Sequence, residues 1–557
     1  MSFRRSLSAR RGVAAVAVTV AATLGLSACS SSDPGGSSAG DGGTPVAGGT
    51  LKVAFWPDNA AFTCVDPFQT YWIEHRTVIR NLADSLTDQD PKTGEIKPWL
   101  ADSWKVSPDG LTYTFSLKQG VTFSDGSPVD AAAIKGNVDG WLDTVKATNG
   151  AAFGSSYVLG LKGAKVIDPK TVELDFSQPN SSFLQATSTT NLAIISPDSY
   201  AKTPAQRCAG DFTASGAFTL DSYKPNELLK IVKRPGYAWG SALSKNTGEA
   251  HLDAVEFTYV AEDSVRTGNL VSKAIDIAWP RNPFTVEDRE LIERSDATVE
   301  QRSLPGVALT LFPNVSSGRI LSDPAVRKAL YKAIDLESYA STAYGKDYPV
   351  VGGPFDETTP YFAAQKDKLA FDRDEAEQLL DSAGWTRTGN GYRTKDGKRL
   401  TLVDQIQVLT PGDELLQDQL KQVGIDLKLD VVPAAERPAK IANGDYDLSG
   451  TYFTRADPGA LQFILDPDLA NSKALATNAS TPETLAKIKA LFAQAIQTTD
   501  EAESKKAYTE LQALLIDEGV TYPIAERVQF AGVSKAVHGF SFTSESFLKL
   551  NDVWKSK

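Results

Sequence analysis

Sulfur and imidazole are scarce in this chain: of 557 residues one is methionine, three are histidine and three are cysteine. The single methionine is Met1, which leaves with the leading segment, so a copper site built on thioethers is excluded. His75, His251 and His538 are too few and too scattered to ligate nickel or copper directly. None has a serine or acid partner at catalytic spacing, which argues against an exported hydrolase and leaves no bond chemistry or cofactor to expect. Basic charge is also short, with 57 Lys and Arg against 69 Asp and Glu, a net charge of −12. Arg4, Arg5, Arg10 and Arg11 are lost with the leading segment, so the mature chain is more acidic still. A surface of that sign argues against nucleic acid as a partner. Beyond residue 28 no apolar run is long enough to span a bilayer.

What is present begins with a signal. Residues 1–28 carry a basic head, a short apolar middle and small residues at the end, the pattern of a secretory signal peptide. Leu26-Ser27-Ala28-Cys29 is similar to a bacterial lipobox, which implies cleavage before Cys29 and lipidation of that residue. The paired arginines leave both the general and the twin-arginine export routes open. Residues 29–49, rich in Gly and Ser, read as the lipidated cysteine and a flexible tether with an end-to-end distance of roughly 25 Å. Gly36-Ser37-Ser38-Ala39-Gly40 fits G-x-S-x-G but sits in that tether, where no strand-to-helix elbow can form. The remainder is of ordinary globular composition, with 41% hydrophobic and 23% charged residues. It is too long for one core, so two or three lobes are expected. Cys64 and Cys208 form a pair in an exported chain. Their spacing matches no zinc pattern, which favours a disulfide over free or metal-binding thiols.

The most informative stretch runs from Pro98 to Asn137. Leu111, Tyr113, Phe115 and Leu117 alternate with polar residues, as in a strand with one buried face. Ser107-Pro108-Asp109-Gly110 is a turn joining it to an earlier strand with Trp104 and Val106. After Ser124-Asp125-Gly126-Ser127, Asp130 caps a helix with Ile134, Val138 and Trp141 on one face. The order W-L-A-D-S-W, then D-G-L-T-Y-T-F-x-L-x-x-G-V-x-F-x-D-G, then P-V-D-A, resembles the signature block of extracellular solute-binding protein family 5, the substrate-binding lipoproteins of peptide/nickel-type ABC importers.

The resemblance continues along nearly the whole chain after the tether. Thr50 to Phe55 looks like the family's opening strand, after which the resemblance implies ligand contacts at Trp56 and Asp58. Thr70 to Leu86 reads as a helix carrying Trp72, Val78, Ile79 and Leu82, and Lys165 to Phe176 as a strand of a small subdomain. Ala214-Ser215-Gly216-Ala217-Phe218 matches the step at which the chain re-enters the first lobe, and Trp279 and Arg281 follow the strand around Ile277, where ligands meet α/β sheets. The glycine of the family's motif before that strand is replaced here by Lys273 or Ala274. Leu309 to Asn314, with Phe312, matches the first strand of the second lobe. Asp323-Pro324 and Asp372 open helices, the second ended by Gly384; Leu415 to Val423 is a helix stopped by Gly424, and Ile425, Leu427, Leu429 and Val431 form a strand. Gly444-Asp445-Tyr446-Asp447 and the loop through Tyr452, Phe453, Arg455 and Asp457 resemble the family's ligand loop. There Asp457 is implied to hold a ligand amino terminus and Arg455 an anionic group, unless the two pair only with each other. At most one of Tyr452 and Phe453 should line the cleft if the segment is extended. Pro482 to Ile496 and Glu501 to Ile516 read as amphipathic helices.

The implied fold is α/β, a two-lobe hinged periplasmic-binding-protein fold (type II, cluster C-like) with an extra small subdomain in the first lobe. Residues 50–81, 210–303 and 524–557 would form lobe I, residues 82–209 the subdomain and residues 304–523 lobe II, with crossings near 304 and 523. The implied function is a monomeric, lipid-anchored binder on the extracytoplasmic face of the cytoplasmic membrane. It would capture a small peptide-like ligand and deliver it to ABC permease subunits. The alternatives are a binder of a metal chelate or siderophore, and a non-transport envelope protein using the same fold.

Overall fold

The computed structural model describes residues 43–57, 63–346, 348–387, 389, 391–407, 409–433 and 436–556. The signal segment, Cys29, most of the tether and Asp58 lie outside them. The end of the tether is already part of the fold, because the Gly48 amide donates to the carbonyl of His251 and the Gly49 amide to the Asp253 carboxylate.

Two sheets define two α/β lobes. The first has seven strands in the order Ala297–Ser303, Val528–Ser534, Ile277–Ala278, Thr50–Phe55, Ala254–Tyr259, Leu228–Lys233, Phe218–Lys224. Its centre is parallel, with Thr50–Phe55 between Ala254–Tyr259 and Ile277–Ala278, and its flanks are antiparallel. The second has five strands in the order Asp426–Val431, Thr401–Ile406, Leu448–Thr454, Gly306–Pro313, Tyr522–Ala525, of which the first three are parallel. On the central strand Leu51, Val53 and Phe55 share one fully buried face, while on the other face Ala54 is buried and Lys52 exposed.

A third, four-stranded antiparallel sheet joins Ala101–Val106, Thr112–Leu117, Thr171–Phe176 and Leu161–Asp168. Here the expected single strand from Lys165 to Phe176 is two strands. Pro169 cannot donate to a ladder, and the Lys170 amide bonds the Asp168 carboxylate across a tight turn. The helix Ala131–Ala147 packs on this unit with Asp130 accepting from the Ala133 amide, and Ile134, Val138 and Trp141 are buried. Asn137 lies on the same buried face and is satisfied in both senses by Ile195, donating to its carbonyl at 2.7 Å and accepting from its amide at 3.0 Å. The helix read over Thr70 to Leu86 is shorter, Ile73–Leu82. Beyond it the chain turns extended at Ala83, and the Asp84 amide is taken by the Ser215 hydroxyl.

In the second lobe Asp323 and Asp372 cap the helices Pro324–Ala333 and Arg373–Ser382, and the two C-terminal helices are Pro482–Ile496 and Glu501–Asp517. Two short segments connect the two large sheets. One is Leu304-Pro305, between Ser303 and Gly306, and the other is Glu526-Arg527, between Ala525 and Val528. Gly306 has φ +122°, and a Cβ there would lie 2.1 Å from the Phe453 carbonyl oxygen, so the crossing admits no side chain at this position. Cys64 and Cys208 form a disulfide that ties the start of the first lobe to the end of the small subdomain.

Candidate functional site

The carboxyl ends of the parallel strands run toward the crossings in both sheets: Ile277–Ala278 runs antiparallel to Val528–Ser534 toward its start, and Thr454 pairs with Gly306. Phe55, Tyr259 and Ala278 end the strands of one sheet, and Ile406, Val431 and Thr454 those of the other. In open α/β sheets the carboxyl ends of the strands are where ligands are held. A cavity of about 50 Å³ lies beside them, bordered by Tyr71, Trp72, Glu74, Arg281 and Gln529 from the first lobe, Tyr452 to Thr454 from the second, and Leu304 and Arg527 of the crossings. That volume is below the roughly 300–1,000 Å³ of a small-molecule pocket, so a ligand of ordinary size needs the cavity to widen.

Charge and aromatic surface alternate in this cavity. Arg281 stacks on Trp72, its guanidinium carbon 4.6 Å from the ring centroid, and pairs with the buried Glu74 at 2.9 Å. Arg527 stacks on Tyr452 at 3.8 Å and donates to the Thr454 hydroxyl. Burial pushes the Arg527 guanidinium below its ordinary range, and burial pushes the Tyr71 phenol up. Arg76, also on the cavity lining, is fully buried and donates to both Glu545 oxygens at 2.9 Å.

The expected ligand residues are distributed over several environments. Arg281, Tyr452 and Phe453 border the cavity. Tyr452 and Phe453 do so together rather than singly, because the strand end itself, Tyr452 to Thr454, forms the wall; Phe453 also stacks on Phe463 at 4.1 Å. Trp56 follows the opening strand, half-buried, with Arg266 over its ring at 5.7 Å. Trp279 is fully buried between Phe55 and Phe542, and Phe312 is fully buried in its strand. Ser215 is a buried joint that donates to the Ile194 carbonyl and accepts from Asp84. Arg455 and Asp457 are buried and turned toward each other, at 3.7 Å, and toward the small subdomain. Arg455 lies over Tyr157 at 4.3 Å, while Asp457 accepts from the Ser182 hydroxyl and the Gly459 amide. Asp457 borders a separate groove of about 560 Å³ between the subdomain and the second lobe. Tyr71, Glu74 and Arg527 were not foreseen. The one sequence signal for Arg527 is its position just past the strand Tyr522–Ala525, at the second crossing.

An acid pair forms where Glu526 of that crossing meets Asp356. Glu526 and Asp356 are both buried, and Asp356 spends one oxygen on the Thr358 amide and hydroxyl. Burial, with the neighbouring Asp356, raises the Glu526 carboxyl well above its ordinary range, so it holds a proton at neutral pH. A raised folded pKa contributes full stability below the unfolded value, near 4.5, and loses it as pH rises toward the folded one. Glu526→Gln removes that loss. Its unfolding free energy is expected to match the parent near pH 4 and exceed it by at least about 1 kcal/mol at pH 8, read by denaturant titration. Parallel pH curves for the two proteins would show that Glu526 is ionised in the fold.

The family model for bacterial extracellular solute-binding proteins, family 5 Middle, matches residues 95–474. The glutathione-binding protein GsiB of Escherichia coli O1:K1 / APEC is 27% identical over 501 residues, covering 88% of this chain and 92% of its own. Among solved structures, NikA from Brucella suis in complex with Fe(III)-EDTA has a TM-score of 0.78 at 24% identity, with 91% of this chain and 100% of that one covered. DppA from Helicobacter pylori in complex with the peptide STSA has a TM-score of 0.72 at 22% identity, with 92% and 99% covered. Two α/β lobes joined by two crossings, a cavity at the facing strand ends and a family match over most of the chain lead to one assignment: the chain belongs to the bacterial extracellular solute-binding proteins, family 5, of ABC importers.

Proposed function

We propose that this protein captures a peptide or peptide-like solute in the cleft between its lobes and delivers it to ABC permease subunits, while lipidated Cys29 holds it at the outer face of the cytoplasmic membrane. The observation that carries this reading is the cavity at the two crossings, where stacked Arg281–Trp72 and Arg527–Tyr452 offer apolar area and hydrogen-bond donors together. Closure of the hinge would desolvate both, and a desolvated cation binds strongly when the ligand pairs with it. Arg455 and Asp457, satisfied by each other and by the subdomain, would act on ligand only by exchanging those partners. A preformed metal chelate is the second reading, favoured by the likeness to the protein in complex with Fe(III)-EDTA and by the same cationic lining. Native mass spectrometry of the mature protein purified from its own host tests both. A ladder of peptide masses is expected for a general peptide binder. One discrete mass with a metal isotope pattern would replace that reading with the chelate.

A further inference from the structure

The strand whose end borders the cavity has positive charge gathered around it that no ion pair neutralises. Three cations are fastened along one strand, Leu448–Thr454. Arg437 donates to the Ser449 hydroxyl at 2.8 Å and to the Gly450 carbonyl, Lys473 donates to the Thr451 hydroxyl at 2.7 Å, and Arg527 donates to Thr454 and stacks on Tyr452. All three are half-buried. Each is tied to neutral oxygens, and among the described residues none is within ion-pair distance of a carboxylate. The Nε of Arg437 is buried with no hydrogen-bond partner. Two buried acids act on these cations through space, Asp404 on Arg437 and Asp356 on Arg527, but neither pairs with them, and burial pushes the Asp404 carboxyl up to about 7, which weakens it as a counter-charge. Glu74, the carboxylate bordering the cavity, is taken by Arg281. Burial, then Arg437 and Arg527, push the Lys473 ammonium down to about 8, the direction expected of like charges gathered without an anion. Tyr452, with more than a third of its surface exposed, stands among the three and offers a ring against which a ligand can lie.

Holding three half-buried cations together is costly unless binding supplies the missing negative charge. We infer that the solute of this cleft is a compact polyanion carrying at least two acidic groups, held between Arg437, Lys473 and Arg527 with its apolar part on Tyr452. The inference rests on the capture reading above and narrows its substrate class, setting neutral zwitterionic peptides aside. An acidic peptide and an aminopolycarboxylate chelate present the same carboxylates to these residues.

The test is calorimetric titration of the mature protein, freed of co-purified solute, with reduced glutathione, citrate and Fe(III)-EDTA against trialanine and trialaninamide. At least one polyanion is expected to bind at least about tenfold tighter than either neutral or cationic probe, and more weakly as salt is raised. Lys473→Met and, separately, Arg437→Met are expected to weaken that binding at least about tenfold with unfolding midpoints of the solute-free protein no lower than the parent's, while Lys473→Arg retains most of it. Which polyanion binds distinguishes an acidic peptide from a chelate. Equal or tighter binding of trialanine, no binding by any polyanion, or full affinity in both folded Met variants would overturn the inference. A neutral solute co-purifying from the host would overturn the charge class and leave capture intact. A host-purified protein with no small molecule bound would instead count against capture itself.

Discussion

Replacing Arg76 by methionine is expected to cost about 3–5 kcal/mol of folding stability, read as a fall in the denaturant midpoint. Arg76 comes from the helix Ile73–Leu82, yet its partners come from distant parts of the chain. Both Glu545 oxygens accept from it, and Phe547 and Phe153 lie 4.8 Å and 5.4 Å from its guanidinium carbon. Burial alone would lower this guanidinium, but the Glu545 carboxylate beside it holds it above its ordinary value. Methionine fills much of the volume and leaves Glu545 buried without a counter-charge, which is the origin of the large cost. The double variant Arg76→Met/Glu545→Gln removes that orphaned charge and should recover a good part of the loss. A single variant within about 0.5 kcal/mol of the parent would mean that water reaches Glu545.

Cys208→Ser is expected to destabilise the protein by about 2–5 kcal/mol, chiefly by freeing the segment between Cys64 and Cys208. The sequence separation of 144 spans the whole small subdomain, so the bond restricts a long loop in the unfolded chain. Two further contacts beside it survive the substitution. Arg207 donates to the Asp66 carboxylate at 2.6 Å, both fully buried, and the Val65 amide donates to the Cys208 carbonyl at 3.1 Å. The subdomain should therefore remain docked while melting earlier. An unchanged melt, together with two thiols titratable in the native protein, would show that the bond does not form in the cell envelope.

The sequence made the elements legible wherever local chemistry decides them. Asp130, Asp323 and Asp372 cap the helices expected of them, and Gly424, at φ +90°, separates helix from strand as read. The hairpin missed at Asp168-Pro169-Lys170 shows the limit. Alternation persisted through the turn, and the proline in it was the stronger signal. The cleft was legible only in part, for a physical reason. Position after a strand places a residue near the right end of the sheet, but it does not say which way the side chain leaves. Trp279 thus packs between Phe55 and Phe542 while Arg281, two residues on, reaches Trp72. The charge balance of the second lobe could not be read at all. Arg437, Lys473 and Arg527 are separated by tens of residues and meet only through the strand Leu448–Thr454.

Capture by hinged closure is tested most directly by solution scattering of the mature protein with its co-purified solute bound, after the solute has been removed by unfolding and refolding, and after it has been added back. The cavity at the crossings, at about 50 Å³, has too little room for a solute, so capture requires the two sides to move apart and come together again. The solute-free protein is therefore expected to have the larger radius of gyration, and the compact value should return on adding the solute back. An identical radius in all three states, with the solute still binding, would contradict closure as the means of capture.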